Sequence, residues 1–220
     1  MIEEKPIRYL IQNLERTFGV PTLDPPSDPL DMLIGVILSQ ATTNANSDRT
    51  FAALKEKFPV WEAALKARES TIAKTIHLGG LANQKAKVIK KLLKQIKEER
   101  GSLDLNFLHG VSTKEAAQYL KQFRGIGPKT IACTLLFACH KNIFPLDTHI
   151  FRILRRVGMI PLKCSDEKAR AHLDGIVPEG KFYSFHVNLI RLGRKICKPQ
   201  NPLCERCPIV EYCDYGSERI

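Results

Sequence analysis

Four cysteines close the chain, Cys197, Cys204, Cys207 and Cys213, in a C-x6-C-x2-C-x5-C array. Four thiolates within 17 residues can converge on one soft metal centre, and prolines at 199, 202 and 208 help fold the intervening loops back. Zinc ribbons favour two short C-x2-C knuckles on a long loop. Only one such pair exists here, so the longer arms fit an iron-sulfur cubane ahead of zinc. Cys133, Cys139 and Cys164 lack this spacing and read as small buried hydrophobes.

Phe123-Arg-Gly-Ile-Gly-Pro-Lys129 holds the second chemical feature. Gly125 and Gly127 permit turn geometries closed to other residues, Ile126 between them can anchor the turn in a core, and Pro128 suits the first position of a helix. With helical sequence on both sides, this is a helix, a tight hairpin and a second helix. Backbone N–H groups exposed by such a turn can grip a phosphate without reading bases. Lys129 follows at the positive end of the second helix, which disfavours an ammonium and favours a nucleophilic free amine. A lysine that only contacts phosphate would occupy the same place. Eighteen residues on, in Pro145-Leu-Asp-Thr-His-Ile-Phe-Arg152, Asp147 or Thr148 precedes an Ile150/Phe151/Leu154 face. That is an N-cap signature, so helix capping is the first reading of Asp147, compatible with a chemical role. His149, beside an apolar face, reads as packed rather than catalytic.

The elements that must position these residues are helices. Ile7, Leu10, Ile11 and Leu14 follow the i, i+3, i+4, i+7 pattern; Val88, Leu92 and Ile96 line one face of a segment whose other faces carry Lys85, Lys87, Lys90, Lys91, Lys94 and Lys97. No run of β-branched or aromatic residues alternates cleanly as a strand does. The proline-rich stretch 21–29 is a connector from which Pro29 opens a helix through Met32 to Leu38, and further Gly and Pro breaks leave nine or ten helices. The fold class expected is all-α.

Composition narrows the partners. The chain has 220 residues, with 34 Lys and Arg against 23 Asp and Glu, a net charge of +11. Such an excess puts polyanions such as DNA or RNA ahead of acidic membranes. The first residues, Met1-Ile2-Glu3-Glu4-Lys5-Pro6, differ from a signal peptide's basic and then apolar run. The longest mainly apolar stretches, 32–38 and 131–139, fall short of the ~20 residues a bilayer requires. A cytoplasmic, nucleoid-associated protein is expected, with no membrane partner.

Taken together, Phe123–Lys129, Leu146–Arg152 and the cysteine array, in this order and with eighteen residues from lysine to aspartate, resemble the endonuclease III group of helix-hairpin-helix DNA glycosylases with a four-iron four-sulfur cluster. The resemblance runs from about Leu30 to Tyr215. It implies a bilobal all-α fold: a six-helix barrel over 27–140 ending in the hairpin, and a discontinuous lobe, 1–26 and 141–220, holding the 4Fe-4S cluster on 197–213, with DNA across the cleft. It further implies a bifunctional glycosylase and abasic-site lyase that flips a damaged base, oxidised pyrimidines such as thymine glycol being the family default, out of double-stranded DNA. Lys129 would be the Schiff-base nucleophile and Asp147 the carboxylate that stabilises cationic sugar, with cleavage 3′ to the abasic site by β-elimination. A monomer is expected.

The same resemblance assigns DNA contacts. Ser39-Gln-Ala-Thr42 matches the stretch whose glutamine fills the space left by the flipped nucleotide, hence Gln40, and Gly80-Leu-Ala-Asn-Gln-Lys85 the loop whose leucine intercalates, hence Leu81. On the residues alone, these are a helix C-terminus and a buried loop leucine. Gly125 and Gly127 would hold phosphate, and Arg191 and Arg194 would add positive charge before the first cluster cysteine. Thr43, where many bacterial members are acidic, and Ala82, where an aromatic is common, leave the lesion preference open. The competing readings are a monofunctional adenine or mismatch glycosylase, which needs no amine at 129, and a non-catalytic iron-sulfur DNA-binding module.

Overall fold

A computed structural model of the chain describes residues 7–219; the Met1–Pro6 segment read above against a signal peptide lies outside them. Twelve α-helices follow in order among the described residues: α1 (Ile7–Phe18), α2 (Pro29–Ser39), α3 (Asn44–Lys57), α4 (Trp61–Lys66), α5 (Glu69–Thr75), α6 (Ala82–Arg100), α7 (Thr113–Lys121), α8 (Pro128–Cys139), α9 (Thr148–Val157), α10 (Asp166–Ile176), α11 (Phe182–Lys195) and α12 (Asp214–Ser217). Short 3-10 turns supplement them, including Cys204–Arg206 and Val210–Tyr212. The described residues contain no strand, and none of their helices is long and apolar enough to cross a membrane. The excess over nine or ten helices comes from short pieces such as α4, α5 and α12, too brief to show a period.

The chain divides into two compact units. Residues 25–141 form one, and the chain before Pro25 joins that from Asn142 onward in the other.

In the 25–141 unit, α8 is the central rod. Its residues from Thr130 to Leu136, together with Ala138, are all buried, as an apolar stretch without a polar face requires. It packs chiefly against α2, whose Leu30, Leu33, Ile34, Ile37 and Leu38 are buried at helical spacing. α2 begins as Pro29 suggests: Asp28 Oδ1 accepts the Leu30 and Asp31 N–H groups at 2.8 and 2.9 Å, and the proline at the first position lacks the donor that would otherwise go unsatisfied. α7 starts with a reciprocal capping box between Ser112 and Glu115.

α6 corrects the sequence reading at Val88, which is half-buried beside the stripe, and at Lys85. Its buried stripe is Lys85, Ala86, Ile89, Leu92, Leu93 and Ile96. Lys85 therefore lies on the core face and not among the solvated lysines; its spacing of four and seven to Ile89 and Leu92 had placed it there.

In the other unit, Leu10, Ile11 and Leu14 of α1 pack against α11. The carboxylate of Glu15 receives Lys181 Nζ at 2.9 Å and Ser184 Oγ at 2.7 Å. Asn188 Nδ2 reaches Gly19 O at 2.9 Å and Arg191 Nη1 reaches Phe18 O at 2.8 Å, so α11 side chains satisfy carbonyls that the end of α1 leaves open. α9 lies against α11 and α12.

Candidate nucleic-acid and cluster sites

The hairpin forms as its residues require. Phe123 and Ile126 are buried, and Ile126 N–H closes the turn onto Phe123 O at 3.1 Å. Gly125 has φ +95°, and a Cβ there would meet Val88 Cγ2 of α6 at 3.0 Å. Gly127 differs: it is the N-cap of α8 with φ −85°, and a Cβ would meet nothing within 4 Å. The fold needs glycine at 125. At 127 it does not: the residue is the N-cap of α8, next to the N–H groups that a helix start leaves open.

Lys129, the second residue of α8, is exposed and has no hydrogen-bond or ion-pair partner among the described residues. Beside it in sequence, buried Thr130 accepts Gln40 Nε2 on its hydroxyl at 3.2 Å, so the C-cap residue of α2 is brought to the start of α8. Leu81 is 53% exposed with φ +50°, at the N-cap of α6. The reading of a buried loop leucine is thereby overturned: an apolar side chain is held out in solvent by a strained backbone. A Cβ on Gly80 would lie 3.7 Å from Ala41 O, so the loops bearing Gln40 and Leu81 abut.

Asp147 caps α9. Its Oδ1 accepts Ile150 N–H at 2.8 Å, and Oδ2 takes no part in the cap. His149 is packed, as expected: a Cβ at Gly193 would come within 2.7 Å of its Cβ, so glycine lets α9 and α11 approach closely. The buried His186 ring approaches Pro145 O at 3.1 Å.

One turn apart, Arg152 and Arg156 join α9 to the cysteine loop. Arg152 donates to Cys197 O at 2.7 and 3.0 Å and to Gly193 O at 3.0 Å. Arg156 donates to Cys197 Sγ at 3.3 Å, Lys198 O at 2.7 Å and Pro199 O at 2.9 Å, and its guanidinium stacks 4.5 Å above the Tyr215 ring. The sequence reading assigned neither a role. Their spacing of four on one helix was the available signal; that they turn to the loop's carbonyls was not encoded locally.

Around the four cysteines the backbone turns on itself, with Cys207 N–H on Cys204 O at 2.9 Å and Cys213 N–H on Val210 O at 3.0 Å. Burial, reinforced by the other three cysteines, pushes the Cys207 thiol up to about 11, and burial with Cys197 and Cys204 raises Cys213. Thiols that oppose one another's ionisation suit a multivalent cationic centre, which removes the penalty by binding them as thiolates. Among the described residues no three His, Cys, Asp or Glu side chains converge tightly enough to hold one ion. Four thiols carried by one short loop are a soft donor set, and that chemistry fits an iron-sulfur cluster. Of the remaining cysteines, Cys133 is buried as expected; Cys139 is half-buried, its thiol raised by that burial to about 11, and Cys164 is half-buried in a loop rather than in the core.

Arg191 is largely committed to α1, Nη1 also donating to Asn188 Oδ1 at 3.0 Å. Arg194 is exposed in the last turn of α11 without a partner among the described residues.

A family model described as HhH-GPD superfamily base excision DNA repair protein matches residues 34–179, and one for the iron-sulfur binding domain of endonuclease III matches 197–213. A putative DNA glycosylase of Arabidopsis thaliana is 38% identical over 195 residues, covering 84% of this chain and 66% of the relative. This chain therefore spans just under two thirds of that relative's length. Endonuclease III of Sulfolobus acidocaldarius is 30% identical over 190 residues, 86% of this chain and 82% of that one. The solved structure of a non-covalent endonuclease III–DNA complex matches with TM-score 0.82 at 25% identity, covering 100% of this chain and 99% of that one.

Proposed function

The chain belongs to the HhH-GPD superfamily of base excision DNA repair proteins, in its endonuclease III branch with a C-terminal iron-sulfur domain, and on that premise we propose that it is a bifunctional DNA glycosylase and abasic-site lyase. Oxidised pyrimidines in double-stranded DNA, thymine glycol among them, are the proposed substrates, and abasic sites a second. The observation that carries the reading is Lys129, an exposed amine with no structural partner at the start of the hairpin's second helix. A glycosylase that activates water through a carboxylate alone has no use for an amine there.

In the proposed reaction, Lys129 Nζ attacks the anomeric carbon of the flipped nucleotide as the glycosidic electron pair leaves with the base. Asp147, through the oxygen its cap does not use, stabilises cationic character on the sugar and assists proton transfer. Ring opening leaves a protonated Schiff base, which acidifies the neighbouring carbon. Loss of that proton expels the 3′ phosphate, and water then releases Lys129. Gln40 and Leu81 fill the duplex where the nucleotide leaves, the N–H groups after Gly127 hold a backbone phosphate, and Arg194, with Arg191 in support, adds positive charge. The cofactor is a 4Fe-4S cluster, which we assign to Cys197, Cys204, Cys207 and Cys213; when bound, it supplies four iron–thiolate bonds that fasten the loop. We take the working form to be a monomer.

Borohydride trapping on a duplex with one thymine glycol or abasic site, comparing wild type with Lys129→Gln, tests the reading. A covalent adduct with wild type alone is expected, with Lys129→Gln still binding damaged DNA. An adduct formed equally by the variant removes Lys129 from the mechanism, and none with either protein points to a monofunctional glycosylase.

A further inference from the structure

Lys85 is 3% exposed, and no other lysine, arginine, aspartate or glutamate among the described residues is buried to that degree. Its ammonium donates to Leu38 O at 2.7 Å and to Gly79 O at 2.7 Å. Both carbonyls stand two residues before a side chain proposed above to enter DNA, Leu38 before Gln40 and Gly79 before Leu81. One cation therefore ties together the entrances of two loops that are distant in sequence.

Those loops are strained. Ala41 and Leu81, neither of them glycine, have φ of +53° and +50°, and such conformations persist only where the surroundings hold them. Local hydrogen bonds hold each loop by itself: Gln40 N–H reaches Ile37 O at 3.3 Å and Gln40 Nε2 reaches Thr130 Oγ1 at 3.2 Å, while Gly80 N–H reaches His77 O at 3.3 Å and Lys85 N–H reaches Leu81 O at 3.0 Å. The Lys85 ammonium adds a tie from one loop to the other. Leu38 O is one of the open carbonyls at the negative end of α2, which suits an ammonium, and Lys85 itself belongs to the buried stripe of α6. Lys90 and Lys141 also donate to pairs of carbonyls, but both are half-buried, where water can substitute. At position 85, burial makes the charge costly, and a residue like Ile89 or Leu92 would serve the core alone.

Resting on the wedge reading of Gln40 and Leu81, we propose that Lys85 is a positioning residue that locks their two loops into one block, so that both side chains enter the duplex in register when a nucleotide leaves it.

The test uses a duplex with one tetrahydrofuran abasic analogue, which has no aldehyde for Lys129 to attack, and 2-aminopurine opposite it, whose fluorescence rises on unstacking, compared with the intact duplex. Wild type, Lys85→Met, Lys85→Gln and Leu81→Ala are measured for that rise and for the ratio of abasic to intact affinity, with circular dichroism checking the fold. Lys85→Met is expected to lose the rise and to lower the ratio by about tenfold; Lys85→Gln, which can still serve one carbonyl, should fall between it and wild type and remains informative if the methionine variant does not fold. A folded lysine variant that keeps both the rise and the ratio, while Leu81→Ala loses them, overturns the role of Lys85 alone. If Leu81→Ala also keeps both, the wedge reading is wrong and this proposal falls with it. Equal losses on abasic and intact DNA overturn it in favour of a merely structural lysine.

Discussion

Two glycines in one hairpin do different work. Gly125 holds φ +95° against Val88, so Gly125→Ala should cost about 1–2 kcal/mol from the left-handed backbone alone, with further loss from the contact at 3.0 Å. Gly127→Ala has free space and an ordinary φ, so its stability should stay within about 0.5 kcal/mol of wild type while affinity for DNA falls. Chemical denaturation beside a DNA titration separates them; matched stability losses would show that the fold, not the phosphate, demands both. Asp147 has two proposed duties and can be dissected likewise. Asparagine caps as well as aspartate, so Asp147→Asn should keep thermal stability and slow base release, whereas Asp147→Ala should lose both, with about 1 kcal/mol from the cap. Single-turnover base release and a melting curve on both variants decide this. A large stability loss in the asparagine variant would reduce Asp147 to its cap.

Among the elements, the seam between α1 and α11 carries a pH dependence. Burial acts to raise Glu15, but hydrogen bonds from Ser184 and Lys181 and the charge of Lys181 outweigh it, and the carboxyl ends below its ordinary value of 4.5. A carboxylate lowered in the folded state contributes stability above its unfolded value, and loses that contribution as pH falls through the folded value. Melting temperature should therefore fall between pH 5 and pH 3 by more in wild type than in Glu15→Gln, the variant being less stable at pH 7 by about 1–3 kcal/mol. Parallel pH profiles would remove the seam from the acid response. Of these helices, α1 and the opening of α2 were legible as period and proline. Lys85 was misread because its charge was weighed ahead of its spacing: an ammonium normally seeks water, and only two carbonyls drawn together from separate loops make its burial tolerable.

At the scale of the molecule, the cysteine loop depends on partners outside itself. Arg152 and Arg156 bring α9, the helix capped by Asp147, onto Cys197. Cys204→Ser should lose the visible absorption near ~400 nm of a thiolate-bound iron cluster. It should also lower the melting temperature, because the loop then keeps only its backbone turns and the arginine clasp. Absorption retained at full iron content would remove Cys204 from the ligand set.

The all-helical class, the hairpin, the cap at Asp147 and the array of four cysteines could be read in one dimension, because each rests on neighbours within a turn or two: helical period, glycine and proline geometry, ligand spacing. The exposure of Leu81, the burial of Lys85, the diversion of Arg191 onto the end of α1 and the clasp of Arg152 and Arg156 could not. Each depends on which backbone carbonyl or apolar surface another segment delivers to the side chain, and that pairing exists only once the helices have packed.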